Sequence, residues 1–361
     1  TQPTQPTQPT QPTQPTAPTF SCNIYSIDPR SNTVIVIDPD TNTIICTIDV
    51  GEFPLSYENN TNNNTTYIVN SASDDLSVID NYTNTVICTI SVGVDPPFAK
   101  LNNFNNSLYI ANSSSEDISV IDINTNTVIS TIPMDSSISS MLIDKNTGYV
   151  YVPHSAGISV IDPNSNTIIC TINNGSSSSA SLLQNSNNND IYSMNYALDN
   201  ISVINPSTNT VICTIQLASN PDEIAFSGNN NYLYVMYNSY TANKNNLSVI
   251  DTTTNTIVST LNILHSPITM SSSLDGNTIY ISDDDPPAIV VLDSNNATVV
   301  TSIPLDSDVR NLYQMPFNNL IYFKNPTDDG ILVLDPVTNT IISSIYTGTF
   351  AGIIYSNCST N

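Results

Sequence analysis

The chain of 361 residues carries 31 acidic against six basic side chains, a formal charge of −25, which disfavours nucleic acid, a ligand bound by replacing its counterions with Lys and Arg. Only 10% of the residues are charged, against about 25% in ordinary globular proteins, and a surface of Asn, Ser, Thr and Tyr points to an extracellular setting. No apolar run approaches the roughly 18 residues a membrane span needs, so no transmembrane segment is expected.

The acids divide into 27 Asp and four Glu. Asp favours turns, through side-chain bonds to nearby backbone N–H groups, whereas Glu favours helix. No stretch reads as a long amphipathic helix. The first residue, Thr1, is not Met, which reads as a processed precursor with its secretion signal removed.

Residues 1–19 are TQPTQPTQPTQPTQPTAPT. Pro at every third position with nothing apolar to bury gives an extended, polyproline-like stalk or linker. Residues 20–361 form one repeating domain. The pattern SVIDPNSNTIICTI at 159–172 recurs at 34–48, 77–90, 119–132, 202–215, 248–261, 290–303 and 332–345, spaced about 40 to 46 residues apart. A period of that length, built from short β-rich segments, predicts an all-β propeller with one four-stranded sheet per repeat.

In the second repeat, Tyr67–Val69, Leu76–Asp80 and Thr85–Ile90 read as strands, and a weaker segment near Pro97–Ala99 opens the next. Their apolar residues run consecutively, which suits sheets covered on both faces. The turn Asp-x-x-(Thr/Ser)-Asn-Thr joins the third and fourth strands. Seven repeats have Asp there, from Asp38 to Asp335, and the fifth has Asn205. Asn keeps the turn-forming acceptor but is no acid, so the position reads as structural rather than catalytic.

Eight third-and-fourth-strand hairpins accompany only seven complete first-and-second-strand pairs. Pairing 350–355 with 24–28 completes an eighth blade and closes the ring. That closure brings Cys22 and Cys358 to the same end of one antiparallel ladder, within reach of a disulfide. Cys46, Cys88, Cys170 and Cys213 share one outer-strand position that Ser or Thr takes in the other repeats, and are expected as free thiols, with contacts between subunits as the alternative.

The phrases Ser-Val-Ile-Asp-x-x-Thr-Asn-Thr-Val-Ile and Tyr67-Ile68-Val69-Asn70 resemble the YVTN-type β-propeller repeats of archaeal and bacterial surface-layer proteins. The resemblance covers roughly 20–356. It implies a cell-surface or extracellular location and carries no shared catalytic motif. Members are often seven-bladed, so seven is the alternative to the eight blades counted here.

Candidate chemistry is sparse. His154 and His265 are the only histidines; both are expected in surface loops, and neither sits in a metal-ligand motif. Acidic pairs and triplets, among them Asp74-Asp75 and Asp283-Asp284-Asp285, lie between second and third strands, on the face shared with the loops between blades. Such oxygen-rich loops suit Ca²⁺; the competing reading is a solvated acidic rim, and no other cofactor is expected. Eleven Asn-x-Ser/Thr sequons are glycosylation candidates: Asn59, Asn63, Asn64, Asn81, Asn105, Asn112, Asn174, Asn200, Asn246, Asn296 and Asn357. Asn59, Asn63 and Asn105, in long polar loops, head that set.

Two functions follow as expectations. One is a non-enzymatic extracellular surface protein: a structural or adhesive subunit of a surface layer, filament or virion exterior, partnered by its own copies or by surface proteins and glycans. The other is a ligand-binding or lyase-type propeller acting at the central funnel on the acidic face. With so few bases and ion pairs, the fold is also expected to persist to about pH 2–3.

Overall fold

A computed structural model describes residues 22–175, 181–228, 231–237, 247–307, 309, 312–316, 318–325, 329–348 and 352–357. The expected stalk, 1–19, lies outside the described residues. From Cys22 onward the chain forms eight four-stranded antiparallel sheets, one per repeat, arranged as an eight-bladed β-propeller. Among the described residues, no helix is long and apolar enough to cross a membrane.

The second blade shows the plan. Its strands are Pro54–Asn60, Thr65–Asn70, Asp75–Asp80 and Thr85–Ser91, from the centre outward. All six residues of the second strand are buried, whereas the outer strand is largely exposed. Consecutive apolar residues in the middle strands are explained by this: each sheet is covered by a neighbour on either side. Thus Tyr67, Val69, Leu76 and Val78 of the second blade pack with Leu108, Ile110 and Ile121 of the third. Burying each such side chain contributes about 1.5–3 kcal/mol.

Every third-to-fourth-strand hairpin is built alike. The first side chain of the turn accepts the backbone N–H two residues on, as Asp80 does from Tyr82 at 2.8 Å and Asn205 from Ser207 at 2.9 Å. Asn205 therefore performs the turn role of the Asp residues, as the sequence predicts. Four residues into the turn comes an Asn in the left-handed region, with φ of 53° at Asn84 and Asn126. Asn tolerates that conformation better than most residues do.

That Asn has a second task. Its side-chain oxygen accepts the hydroxyl of a tyrosine from the second strand of the preceding blade. Tyr25 reaches Asn84 at 2.8 Å, Tyr67 reaches Asn126 at 3.0 Å, and Tyr109 reaches Asn166 at 2.8 Å. Tyr151 and Asn209, Tyr192 and Asn255, and Tyr322 and Asn42 continue the series around the ring. The blade-6 tyrosine, Tyr234, instead donates to the backbone oxygen of Ser294 at 2.8 Å, because the Asn position of blade 7 holds Ala297. At the remaining junction, the Oδ1 of Asn339 is buried without a partner.

The ring closes where expected, over a shorter and later segment. The last strand is Ile354–Ser356, not 350–355, and it pairs with Ile24, Tyr25 and Ser26. Residues 350 and 351 lie outside the described residues. Gly352 and Ile353 still exchange backbone bonds with Ile27, at 2.8 and 2.9 Å. A Cβ on Gly352 would sit 2.4 Å from the Ile27 oxygen, so this close approach excludes a side chain. Tyr355 is stacked between Tyr25 of its own blade, with centroids 5.1 Å apart, and Tyr57 of the next, at 3.8 Å.

These junctions give opposed expectations for two substitutions. Asn126→Ala strands the buried Tyr67 hydroxyl and places Ala at positive φ, costing about 2 kcal/mol. Ala297→Asn restores the residue type that φ of 57° favours and stabilises by about 1 kcal/mol. Urea unfolding of both variants measures the two effects. A neutral Asn126→Ala would mean that the interblade bond contributes nothing.

Candidate functional site

Two histidines and two acidic groups were singled out by sequence, and the structure disperses them. His154 is not in a surface loop. It ends a strand, Val150–His154, and is buried at 4% exposure. Its Nε2 lies 2.8 Å from Ser159 Oγ, and its Nδ1 accepts the Ala156 N–H at 3.3 Å. That is the role of asparagine elsewhere: Asn70 donates to Asp75 and Ser77, Asn112 to Asp117 and Ser119, and Asn195 to Asn200 and Ser202. The register of the repeats, with His154 at the place of Asn70, carried this signal. Burial holds the His154 pKa below its ordinary value. His265 is exposed, 3.7 Å from Asp283.

Three of the five acids weighed for calcium are taken up by the framework. Asp283 is buried and accepts the N–H groups of His265 and Ser266 at 2.9 and 2.6 Å, whereas Asp284 and Asp285 are exposed. Asp75 accepts the Asn70 amide at 2.7 Å, and Asp74 accepts the Asp95 N–H at 2.8 Å. Among the described residues, no three His, Cys, Asp or Glu side chains converge as metal ligands would.

The sequons separate sharply by burial. Asn64, Asn81, Asn112 and Asn357 are buried, and a glycan on Nδ2 has no room there. Asn59 donates its Nδ2 to the Ser356 oxygen, Asn105 donates to Pro163 at 2.7 Å, and Asn174 donates to Asn195 at 2.9 Å. Asn200 is half-buried, and its Oδ1 accepts the Asn195 amide. Asn246 lies outside the described residues. Asn63 and Asn296 are exposed, and the Nδ2 of Asn296 donates to Asp293. Two of the three leading candidates, Asn59 and Asn105, thus have their amides engaged; Asn59 lies not in a loop, as expected, but in the inner strand Pro54–Asn60.

The strongest perturbation of an acid lies elsewhere, on the inner strands. Glu223, in the inner strand Pro221–Phe226, accepts the Met270 N–H at 2.5 Å and the Thr269 hydroxyl at 3.3 Å from the inner strand of the next blade. Burial lifts its pKa to about 7, against the lowering effect of those bonds. Glu223, Asp222, Ser181, Met194, Ile224, Ile268 and Thr269 line a cleft of about 470 Å³. Glu58 makes a similar link in the second blade, accepting the Leu101 N–H at 2.9 Å, and burial raises its pKa as well. Glu is so scarce in the chain that its placement is informative, but sequence alone does not show which acids are buried. The cleft can hold a small polar molecule against a carboxyl whose pKa burial raises.

No protein-family model matches the chain, and no curated protein matches it. Among solved structures it is similar to "Kuenenia stuttgartiensis Hydrazine Synthase", at 16% identity and a TM-score of 0.56, over 82% of this chain and 96% of that one. It is also similar to "Dihydro-heme d1 dehydrogenase NirN in complex with DHE", at 12% identity and a TM-score of 0.53, over 83% of this chain and 76% of that one. At such identities the likeness shows the propeller fold alone.

The pH dependence of stability follows from these shifts. Glu223 has a folded pKa above its ordinary 4.5, so the folded state holds a proton that the unfolded state releases. Its contribution is complete below about pH 4.5 and is lost as pH rises through about 7. Asp251, Asp275 and Asp335 have lowered values, caused first by side-chain or backbone hydrogen bonds within their turns. Their contribution is present at neutrality and is lost as pH falls through those values. Glu223→Gln is therefore expected to reduce the fall in thermal midpoint between pH 5 and pH 8. Differential scanning calorimetry at both pH values reads this. Equal falls in the two proteins would show that the carboxyl is already ionised at pH 5.

Proposed function

We propose that this chain is a non-enzymatic extracellular surface protein: a structural or adhesive propeller subunit of a surface layer, filament or virion exterior, of the YVTN-repeat type. One observation carries the reading. The polar residues that recur from blade to blade are bound into the framework. The turn Asp or Asn binds its own turn, the Tyr–Asn pair binds the next blade, and the Asn70-type residue pins the second strand to the third. What repeats in this chain is the means of building a ring. The low charge, the abundance of Asn, Ser and Thr, and the Thr-Pro-rich residues 1–19 agree with display on a surface.

In that setting a Cys22–Cys358 disulfide completes the closure. Asn23 and Asn357 exchange two bonds, at 2.8 and 3.4 Å, directly beyond the last strand pair. That exchange agrees with such a bridge; Cys358 itself lies outside the described residues. Cys46, Cys88, Cys170 and Cys213 are free. An oxidising compartment would preserve such a bridge, and Asn63 offers an exposed place for a glycan.

A second reading, a ligand-binding or lyase-type propeller, is favoured by the Glu223 cleft alone. In that reading the protonated carboxyl donates to a small polar ligand at the funnel.

The surface reading is tested by immunogold labelling of intact native cells or particles with an antibody to the propeller. Labelling at the exterior is expected; recovery only from the interior would overturn it. Non-reducing peptide mapping of the same material is expected to yield one linked pair containing residues 22 and 358. Recovery of Cys22 as an alkylated free thiol would remove the bridge.

A further inference from the structure

We infer that the outer rim of the propeller is a lateral docking surface for second copies of this chain, an inference that deepens the surface-subunit reading and rests on it. The eight outer strands, such as Thr43–Asp49 and Thr85–Ser91, are sheet edges. Each carries a β-bulge at the same place: Val36 faces Cys46 while Ile37 faces Ile44, so Ile45 is the extra residue, and Ile87 is its counterpart in the second blade. A bulge turns its extra residue out of the ladder. In all eight blades that residue is Ile or Val, from 47% exposed at Ile169 to 59% at Val300. The residue before it is aliphatic in every blade too.

Scattered exposed aliphatics need no explanation. These are not scattered. Neighbouring positions vary among the repeats, Cys exchanging with Ser and Thr one residue further on, and Asp with Asn in the turn. The bulge stays apolar throughout, although nothing within the ring packs on its exposed side.

Charge identifies the occupant. In a chain of −25, the only charged residue in the eight outer strands is Asp49. The outer strands themselves therefore bring almost no carboxylate into a contact between two copies. Lys residues, which commonly guard an exposed edge against association, are absent from these strands. Residues 1–19 hold no apolar run that could cover eight edges, and a basic partner gains nothing from an uncharged strip. The bulge interrupts the edge, so copies meet through aliphatic side chains and not by open-ended strand addition. One blade-to-blade contact falls well short of the roughly 800 Å² per partner of a stable pair. Single contacts are weak, and lateral arrays gain strength from several contacts per ring.

Sedimentation velocity of the full chain, from micromolar to near-millimolar concentration, is expected to show an average mass that rises with concentration. The rise is expected to be larger in sulfate, which screens charge and strengthens apolar burial. Ile45→Thr, Ile87→Thr and the matching change at every other bulge keep the β-branched shape and the net charge. Together they are expected to weaken association at least tenfold with unchanged circular dichroism. Should that variant not fold, hydrogen exchange of the natural chain decides: amides of the outer strands gain protection with concentration, and those of the loops on either face do not. A monomer at every concentration, unchanged association in the folded variant, or protection gained only at the faces overturns the inference. The first outcome would leave the surface location standing, because immunogold labelling reads it independently. Association of a protein found only in the interior would leave the rim standing and remove the surface reading.

Discussion

The hydrogen bond from a tyrosine of one blade to the left-handed asparagine of the next, made at six of the eight junctions, is the interaction that most of the ring depends on. An isolated four-stranded sheet of this sequence has two apolar faces and no way to cover either. Each blade is therefore stable only against its neighbours, and the angle between neighbours must be the same eight times over. Apolar packing is not directional enough to impose an angle. The Tyr–Asn bond is directional: it ties the middle of one sheet to the hairpin of the next at a fixed reach. The turn that presents the Asn is itself held by the Asp or Asn at its start, so one short motif sets both the hairpin and the junction.

The same economy explains the chemistry of the surface. Almost all of the acid is Asp, and much of it lies in turns, where it accepts backbone N–H groups. His265 and Asp283 lie 3.7 Å apart, an ion pair when the histidine is protonated. Stability therefore rests on burial and hydrogen bonds, many of them accepted by turn carboxylates, and the charge of −25 is spread over turns and loops. Glu58 and Glu223 depart from this. They bridge inner strands around the centre, where burial favours the protonated form.

Closure is managed differently from the other junctions. A chain that simply ended would leave one blade open and expose the ladder of Ile24–Asp28. The last strand returns to cover it, Tyr355 stacks between Tyr25 and Tyr57, and Asn59 of the second blade binds the Ser356 oxygen. The C-terminal strand is thereby fixed to the first and second blades by packing and hydrogen bonds of several kinds at once, at the point where a ring of repeats is easiest to open.

By itself the sequence determined the architecture. Eight copies of one pattern, with β-branched runs and a turn residue at a fixed place, leave few folds that satisfy them, and the surplus of one hairpin over the strand pairs implied closure by the termini. The Asn205 replacement marked the turn position as structural. Tertiary structure decided what depends on distance around the ring. The partnership of Tyr67 with Asn126 spans 59 residues, and no local propensity announces it, although both residues recur once per repeat. Burial of His154, of four sequon asparagines and of Glu223 likewise depended on which segments fold back onto neighbouring chain. Periodicity reports which residues face the same way along a strand; it cannot report which side chain of the next blade waits there, and that contact determines whether a polar group is a free site or part of the frame.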